Sequence, residues 1–559
     1  MPAVRQIYPF IRPKELDSDD RVRLPVIIVG AGPIGLAMGL ELDHQGIRSI
    51  ILDDDNKAST GSKAMLWSKR SLEVLDRLDC SQRLLDKGVT WSLGKIFFGD
   101  SKEPVYGFKV LEEEDQQFPG FINLQQYYVE QYLKDEIDTR ELAEVRWENE
   151  VTAIEQSADG ATVTVTTPQG NYQLDCDYVI AADGSHSPIR KMLGFDFEGE
   201  TFQDHFLIAD IKMKADFPTE RWFWFDPPFN RGQSALLHKQ PDDVWRLDFQ
   251  LGWDIDREQE LKPENVSRRV RAMMGEDFEF EFEWVSIYTF QCRQMGRFVH
   301  QRVIFIGDAA HLVSPFGARG ANSGLQDVDN LGWKLALILE GKAPPSLLES
   351  YNYERVTAAK ENVLSSTRAT DFITPKSEIS RVFRDATLEL ARDFEFARRF
   401  VNSGRLSVAC ILDESSLNTR DQDSFDCKLV PGSPSIDAPV TVNGEQSWFL
   451  KSIGKDFTGV YFARDGEKAP DEATDLEEDT IPVRSIVVAQ NNQAGAETLI
   501  DHKGLLRQRL DGRPGSYYLF RPDQHLIARW REFDCQAVRD AVARATMQPK
   551  RILHEGEPK

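Results

Sequence analysis

Short β-branched runs that end in glycine and give way to a helical period recur three times along the chain. "PVIIV" (Pro25 to Val29) has the length and side chains of a buried parallel strand, and the "LAMGLELDHQG" that follows its glycine turn is helix-prone. A further apolar run, "SIILDDD", closes this unit at Asp53 and Asp54. "YVIAA" leads into a turn at Asp183-Gly184 and then "SPIRKML", a helix start with proline in its first turn. The third run ends at Gly307-Asp308. After a loop rich in Gly, Ala and Pro, a helix carries Leu325, Val328, Leu331 and Leu335 at helical spacing.

Between residues 205 and 295 the period changes to two. "HFLIADIKMKAD", "RWFWFDPP", "QSALLHKQ", "DVWRLDFQLG" and "WVSIYTFQCRQ" read as strands. In the hairpin turning at Pro241-Asp242-Asp243, His238 and Gln240 share one face. On the return strand Val244, Arg246, Asp248 and Gln250 share one face, and Trp245, Leu247, Phe249 and Leu251 form a core face. Residues 375–428 are mostly helix-prone and charged. "LVPGSPSIDAPV" (Leu429 to Val440) is a turn-rich boundary, and strands and helices follow it.

Composition narrows the function classes. A chain of 559 residues is too long for one ordinary core and calls for two or three domains. The net charge of −24 argues against non-specific nucleic-acid binding, which needs a basic surface, and leaves room for an anionic small substrate. Six cysteines without a CxxC pair fit reduced thiols and give no zinc site, so no metal is expected. The N-terminal "MPAVRQIYPFIRPKELDSDD" has no signal-peptide core and no apolar run reaches membrane-spanning length, so a cytoplasmic protein without membrane contact is expected.

The first glycine turn carries specific chemistry. Gly30, Gly32 and Gly35, with Pro33 and Ile34 between them, form G-x-G-x-x-G in a strand–turn–helix–strand context. Gly30 permits the tight turn, Gly32 lets backbone approach a pyrophosphate, and Gly35 lets helix and sheet pack closely. The phosphates then face free N–H groups at a helix N-terminus. Asp53 can accept from ribose hydroxyls, and this stretch alone leaves NAD and FAD open. Asp308, at a strand end, suits a ribityl hydroxyl. Backbone N–H groups at Gly320, Ala321 and Asn322 can stabilise negative charge on a reduced flavin ring. His311, beside a strand end, reads as structural.

The ordered set G-x-G-x-x-G, A-D-G-x-x-S-x-x-R and G-D-A-A-H-x-x-x-P-x-x-x-x-G-x-N resembles the class A flavoprotein aromatic hydroxylases over roughly residues 24 to 400. The resemblance implies an α/β and α+β multidomain fold. A Rossmann-like FAD-binding domain (1–204 and 296–374) is interleaved with a β-sheet substrate domain (205–295). A helical connector (375–428) and a thioredoxin-like C-terminal domain without CxxC (429–559), suited to a structural or homodimer role, complete it.

It also implies FAD in the cradle, NADH or NADPH as a transient donor, and O2, with hydroxylation of a small phenolic substrate through a flavin C4a-hydroperoxide. Carried over by position, Asp53 binds the adenosine ribose and Gln126 lies near the ribityl chain. Asp183 serves FAD and NAD(P)H with Arg190 as its ion-pair partner, and Asp308 holds the ribityl chain. Pro315 lines the hydroxylation site through its carbonyl, and Asp54 and Val151 complete the cofactor contacts. Lys63 stands where the family usually has arginine and offers the pyrophosphate a point charge without the bidentate fork. The second sheet roofs the substrate pocket, which makes His238, Arg246 and Asp248 its catalytic polar groups: a proton relay for the phenol and an anchor for a carboxylate. A larger polycyclic substrate undergoing epoxidation, Baeyer–Villiger insertion or oxidative dehalogenation is the alternative. A non-catalytic flavin-binding protein is the third.

Overall fold

The structure is a computed structural model that describes residues 6–18, 21–59, 61, 63–110, 114–214, 217–401, 407–464, 470–491 and 497–548. Its first sheet is built on Arg23–Val29 (β1), which pairs in parallel with Ser49–Leu52 (β2) on one side and with Gly170–Ala181 (β5) on the other. Val303–Phe305 (β11) extends it beyond β5, again in parallel. The three apolar runs read from the sequence are therefore neighbours in one sheet. Their side chains are almost fully buried, as a parallel sheet covered on both faces requires. Helix Pro33–His44 (α1) crosses from β1 to β2, and proline at its first position loses no needed N–H.

The second sheet runs His311–Leu312, Glu281–Gln294 (β10), Glu198–Lys212 (β6), Val244–Gly252 (β9), Ser234–Lys239 (β8), Arg221–Phe225 (β7), Leu93–Phe98 (β3) and Tyr106–Lys109 (β4). The hairpin of β8 and β9 turns where expected, with Asp242 and Asp243 in left-handed backbone (φ 63° and 57°). One difference concerns boundaries: β3 and β4, from within the expected first domain, join this sheet through parallel pairing of β3 with β7. The core face expected for Trp245, Leu247 and Phe249 packs on Leu207, Ala209 and the Val266 and Val270 stripe of helix Pro263–Met274 (α3).

Helices Gly320–Leu339 (α4) and Leu348–Ile373 (α5) return the chain to the first sheet. Helices Glu378–Ala391 (α6) and Glu395–Val401 (α7) follow, and α6 lays Leu388 and Ala391 against the second sheet's aromatic side chains. Among the described residues, the expected helical connector is helical up to Val401, and residues 407–428 carry no regular element. A seven-stranded mixed sheet between Pro439 and Trp530 forms the C-terminal part. Among the described residues, no helix is long and apolar enough to cross a membrane.

A fully buried charge cluster joins this last part to the first. Glu354 on α5 accepts from Lys334 Nζ on α4 (2.7 Å), from Arg521 Nη1 on the C-terminal sheet (2.7 Å) and from Ser415 Oγ (2.5 Å). Arg521 also holds Asp523 Oδ2 at 2.6 Å, so two cations meet two anions. Burial alone would raise the Glu354 carboxyl, but Arg521 and Lys334 overcome it and hold the group well below the carboxylate range. Burial presses Lys334 the other way, to about 8, despite Glu354. Removing one member leaves the opposite charge uncompensated, which costs more than the complete cluster contributes. Glu354→Gln is therefore expected to destabilise the protein by roughly 3–5 kcal/mol in chemical unfolding; a loss under about 1 kcal/mol, the range of exposed pairs, would contradict this account of the interface.

Candidate active site

The glycine turn after β1 is held by contacts that exclude a side chain. A Cβ on Gly30 (φ 105°) would stand 2.5 Å from the Ala182 carbonyl oxygen, and one on Gly35 would collide with the Gly30 carbonyl oxygen. Ile34 fills the space beside Gly307 and Gly324, lying 3.2 Å and 2.7 Å from where their Cβ atoms would be. Motifs far apart in the chain thus touch through their glycines. At Gly32 a Cβ would meet nothing within 4 Å, so the turn presents bare backbone to open space, as a phosphate cradle requires. Asp53, at the end of β2, accepts from Ala31 N (2.5 Å) and Asp55 N (2.9 Å), and burial raises its carboxyl to about 6 despite those bonds. Asp54 beside it is exposed.

The other cofactor residues fall on the same region with particular roles. Asp183 Oδ2 accepts from Ile189 N at 3.0 Å, while its buried Oδ1 has no hydrogen-bond partner among the described residues. The expected ion pair with Arg190 is not formed. Arg190 instead donates to the carbonyls of Ala309 and Ser185 (both 2.9 Å) and stacks on Phe197, because its place in the short helix Pro188–Met192 turns it toward backbone oxygens. Asp308 is solvent-accessible, yet surrounding protein raises its carboxyl, with His311 and Lys63 opposing; accessible and hemmed in describes the floor of a cleft.

The Gln126 carboxamide accepts from Ala64 N (3.0 Å) and donates to Ser59 Oγ (3.0 Å), which fixes the loop that presents exposed Lys63. The Pro315 carbonyl accepts from Gly317 N and Ala318 N within its own turn, and the residue is exposed. The Val151 side chain is buried in the core, leaving only backbone to offer a ligand. Helix α4 begins at Gly320 with no side chain capping its first turn, and Asn322 is occupied in holding Ser68 N and Leu66 O. His311 is structural as read: its Nε2 bonds Asp327, which Arg355 also holds.

On the second sheet, cross-strand register aligns one row of side chains. Arg246 lies opposite His238 on β8 and Asp210 on β6, and Asp210 lies opposite Trp284 on β10. The pairing of Trp222 with Leu237 places Arg221 beside His238. These side chains are inside the molecule, not in bulk solvent: His238 and Arg246 are buried. Arg246 is clamped by Asp210 through Nε–Oδ1 (2.8 Å) and Nη2–Oδ2 (2.9 Å), a bidentate pair that neutralises the cation expected to anchor substrate. Burial, with Arg221 and Arg246 nearby, pushes the His238 imidazole well below its ordinary value, so it is neutral and a weak base.

Asp248, in the next row, differs. Burial raises its carboxyl to about 6, Oδ1 is unpartnered among the described residues, and Oδ2 lies 3.9 Å from His238 Nε2. Sequence reading passed over Asp210 and Arg221. An acid inside the apolar "HFLIADIK" and an arginine opening "RWFWF" were the available signals. Two contacts bring the cradle to this row. Trp284 packs against Gly61, in the loop that carries Lys63. Phe316, beside Pro315, packs on Phe206 and Phe290 at 5.0 and 5.2 Å between ring centroids.

The open side of Gly32, the orphaned Asp183 oxygen and the accessible Asp308 fit FAD. The family model described as an FAD binding domain matches residues 23–366. The 12-dehydrotetracycline 5-monooxygenase/anhydrotetracycline 6-monooxygenase of Streptomyces rimosus is 34% identical over 360 residues, covering 62% of this chain and 69% of that enzyme. The 3-(3-hydroxy-phenyl)propionate/3-hydroxycinnamic acid hydroxylase of Mycolicibacterium smegmatis is 27% identical over 376 residues, covering 67% and 66%. The fold is similar to that of the flavin-dependent monooxygenase PieE in complex with FAD and substrate, with a TM-score of 0.79 at 22% identity, over 94% of this chain and 100% of that one. The resemblance read from the three motifs is borne out: the chain belongs to the FAD-binding domain family of flavin-dependent monooxygenases.

Proposed function

We propose that the protein hydroxylates a phenolic aromatic substrate, consuming O2 and NADH or NADPH, with FAD in the glycine cradle. The observation that carries this reading is the buried polar row on the second sheet, joined to the cradle loop through Trp284 and Gly61. FAD held by these residues would supply the redox chemistry that couples nicotinamide oxidation to placing one atom of O2 on the ring, the other leaving as water. The chain's own groups bind, orient and move protons. Asp53 accepts from the ribose hydroxyls, Lys63 places a positive charge near the phosphates, and first-turn N–H groups of α4 offset charge on the reduced ring.

Asp248 is the group suited to take the phenol proton. Its carboxyl is near neutrality, one oxygen has no protein partner, and a phenolate is the stronger nucleophile toward an electrophilic oxygen. Of the three polar groups expected on this sheet, Asp248 thus takes the role of base. His238 serves as a neutral hydrogen-bonding neighbour, and Arg246 with Asp210 as a rigid polar floor. A larger polycyclic substrate is favoured by the breadth of the row and by the tetracycline-type relative; product mass and the ratio of nicotinamide to O2 consumed separate hydroxylation from insertion or dehalogenation. The thioredoxin-like reading of the C-terminal sheet, the homodimer and the cytoplasmic location stand as part of the same proposal.

In a screen of phenols and phenolic acids, substrate is expected to accelerate NADH or NADPH oxidation and to yield a hydroxylated product in equal amount. A complete absence of oxygen insertion across the panel overturns the reading. Asp248→Asn is expected to lower turnover by about 100-fold, the range of a lost general base. In the unaltered enzyme, activity should rise with pH through about 6 as Asp248 ionises, and that limb should vanish in the variant; an unchanged profile contradicts the assignment.

Asp53 gives a separate test. Its folded carboxyl stands near 6, above the ordinary 3.8, so burial disfavours the ionised form that ribose hydroxyls need. FAD affinity is therefore expected to be level above that value and about ten-fold weaker at one pH unit below it. Asp53→Asn should abolish the dependence, and a flat titration in the unaltered protein rules out the ribose contact.

A further inference from the structure

Arg221 opens β7 of the second sheet, in the same row as His238 and Arg246. Arg246, two strands away in the same row, has the bidentate Asp210. Arg221 has no ion pair within 4.0 Å and no side-chain hydrogen bond among the described residues, and the acid that acts on it is Asp248. It is nevertheless deep in the molecule: burial lowers its guanidinium to about 10. It keeps partial solvent access, as Asp248 does. A guanidinium surrounded by protein, partly accessible and lacking a counter-ion is available to an anionic ligand, since an enclosed unpaired cation is costly to keep.

The strand register fixes its neighbours. Opposite Arg221 on β3 is Gly94, and the Phe108 ring from β4 occupies the space a Gly94 side chain would take, walling the row at this end. On the other side His238 and Asp248 turn unpartnered atoms, Nδ1 and Oδ1, toward the same face. Adjacent strands lie about 4.8 Å apart, so from Arg221 on β7 across β8 to the strand of Asp248, β9, is about 10 Å. Trp284 marks the cofactor end through its contact with Gly61. A single-ring phenolic acid does not span that distance.

Resting on the hydroxylase reading above, we infer that Arg221 binds an acidic group on the substrate, and that the substrate is an aromatic of two or more fused rings with this group at the end remote from the ring that is oxidised. Guanidinium recognition is bidentate and planar, which suits a carboxylate or an ionised enol, and the bond is charge-assisted. His238, one strand away in the same row, and Asp248, two strands and one row away, then meet a hydroxyl farther along the same molecule.

The test is direct binding to the FAD-loaded enzyme without a nicotinamide donor, read as the change in flavin absorbance on titration. The probes are 6-hydroxy-2-naphthoate, whose phenol and carboxylate lie at opposite ends, 2-naphthol, which lacks the acid, and 4-hydroxybenzoate, which is short. The naphthoate is expected to bind about ten-fold or more tightly than either of the others, as a charge-assisted bond allows. Arg221→Gln should reduce the preference over 2-naphthol to about two-fold or less with 2-naphthol affinity unchanged, and Arg221→Lys, which keeps the charge but not the fork, should retain part of it. Equal binding of naphthoate and naphthol by the unaltered enzyme, a preference that survives in Arg221→Gln, or no binding of any probe each overturns the anchor. Stronger binding of 4-hydroxybenzoate than of the naphthoate overturns the length argument. Because no turnover is needed, the anchor can fail while hydroxylated products still form, and the hydroxylase reading can fail while the binding preference holds.

Discussion

The carbonyl oxygen of Gly30 occupies the space where a Cβ on Gly35 would stand, and the Ala182 carbonyl presses equally on Gly30. Ile34 fills the gap that Gly307 and Gly324 leave open. Backbones come this close only where no side chain intervenes, and here the approach joins segments from three distant parts of the chain. The rest follows from it. With α1 drawn onto β1 and β5, and the start of α4 drawn onto α1, Asp53, Asp183 and Asp308 are brought to one region with the bare backbone of Gly32. The loop after β11, fixed by the same contacts, then reaches the second sheet through Phe316.

Charge satisfaction separates scaffold from site. Lys334, Glu354, Arg521 and Asp523 are completely buried and pair with one another, and His311, Asp327 and Arg355 do the same near α4. Such closed sets orient helices and leave nothing for a ligand. Around the cofactor cleft and the second sheet the accounting does not close. Asp183 Oδ1, Asp248 Oδ1 and His238 Nδ1 lack partners, and Arg221 lacks a counter-ion among the described residues. Buried groups of this kind mark where the protein meets something else. The C-terminal sheet, by contrast, contributes through the closed set: Arg521 from that sheet grips α5, whose Glu354 also holds Lys334 on α4, the helix that begins at the cofactor cleft.

Much of this was legible in the sequence wherever the determinant is local. The glycine turn, the terminal acid of β2 and the period-two faces of the β8–β9 hairpin depend on residues a few positions apart, and they fold as read. What escaped depends on register between distant strands. Asp210 stands thirty-six positions before the arginine it neutralises, so Arg246 looked free until β6 and β9 were aligned. The parallel pairing of β3 with β7 crosses even more of the chain and carries Leu93–Phe98 into the second sheet. Arg190 turned to backbone carbonyls, which no sequence pattern advertises. Arg221 was hidden by the aromatic residues that follow it, which drew attention to packing and away from the cation at the strand's start.

The central claim is that FAD in this cradle passes an atom of dioxygen to a ring held over the second sheet. Reaction under isotopically labelled dioxygen, with mass spectrometry of the product, tests it most directly. The account requires one labelled oxygen atom in the hydroxylated ring and none taken from solvent. A product whose new oxygen comes from water, or a nicotinamide oxidation that yields only labelled hydrogen peroxide with every aromatic offered, would contradict it.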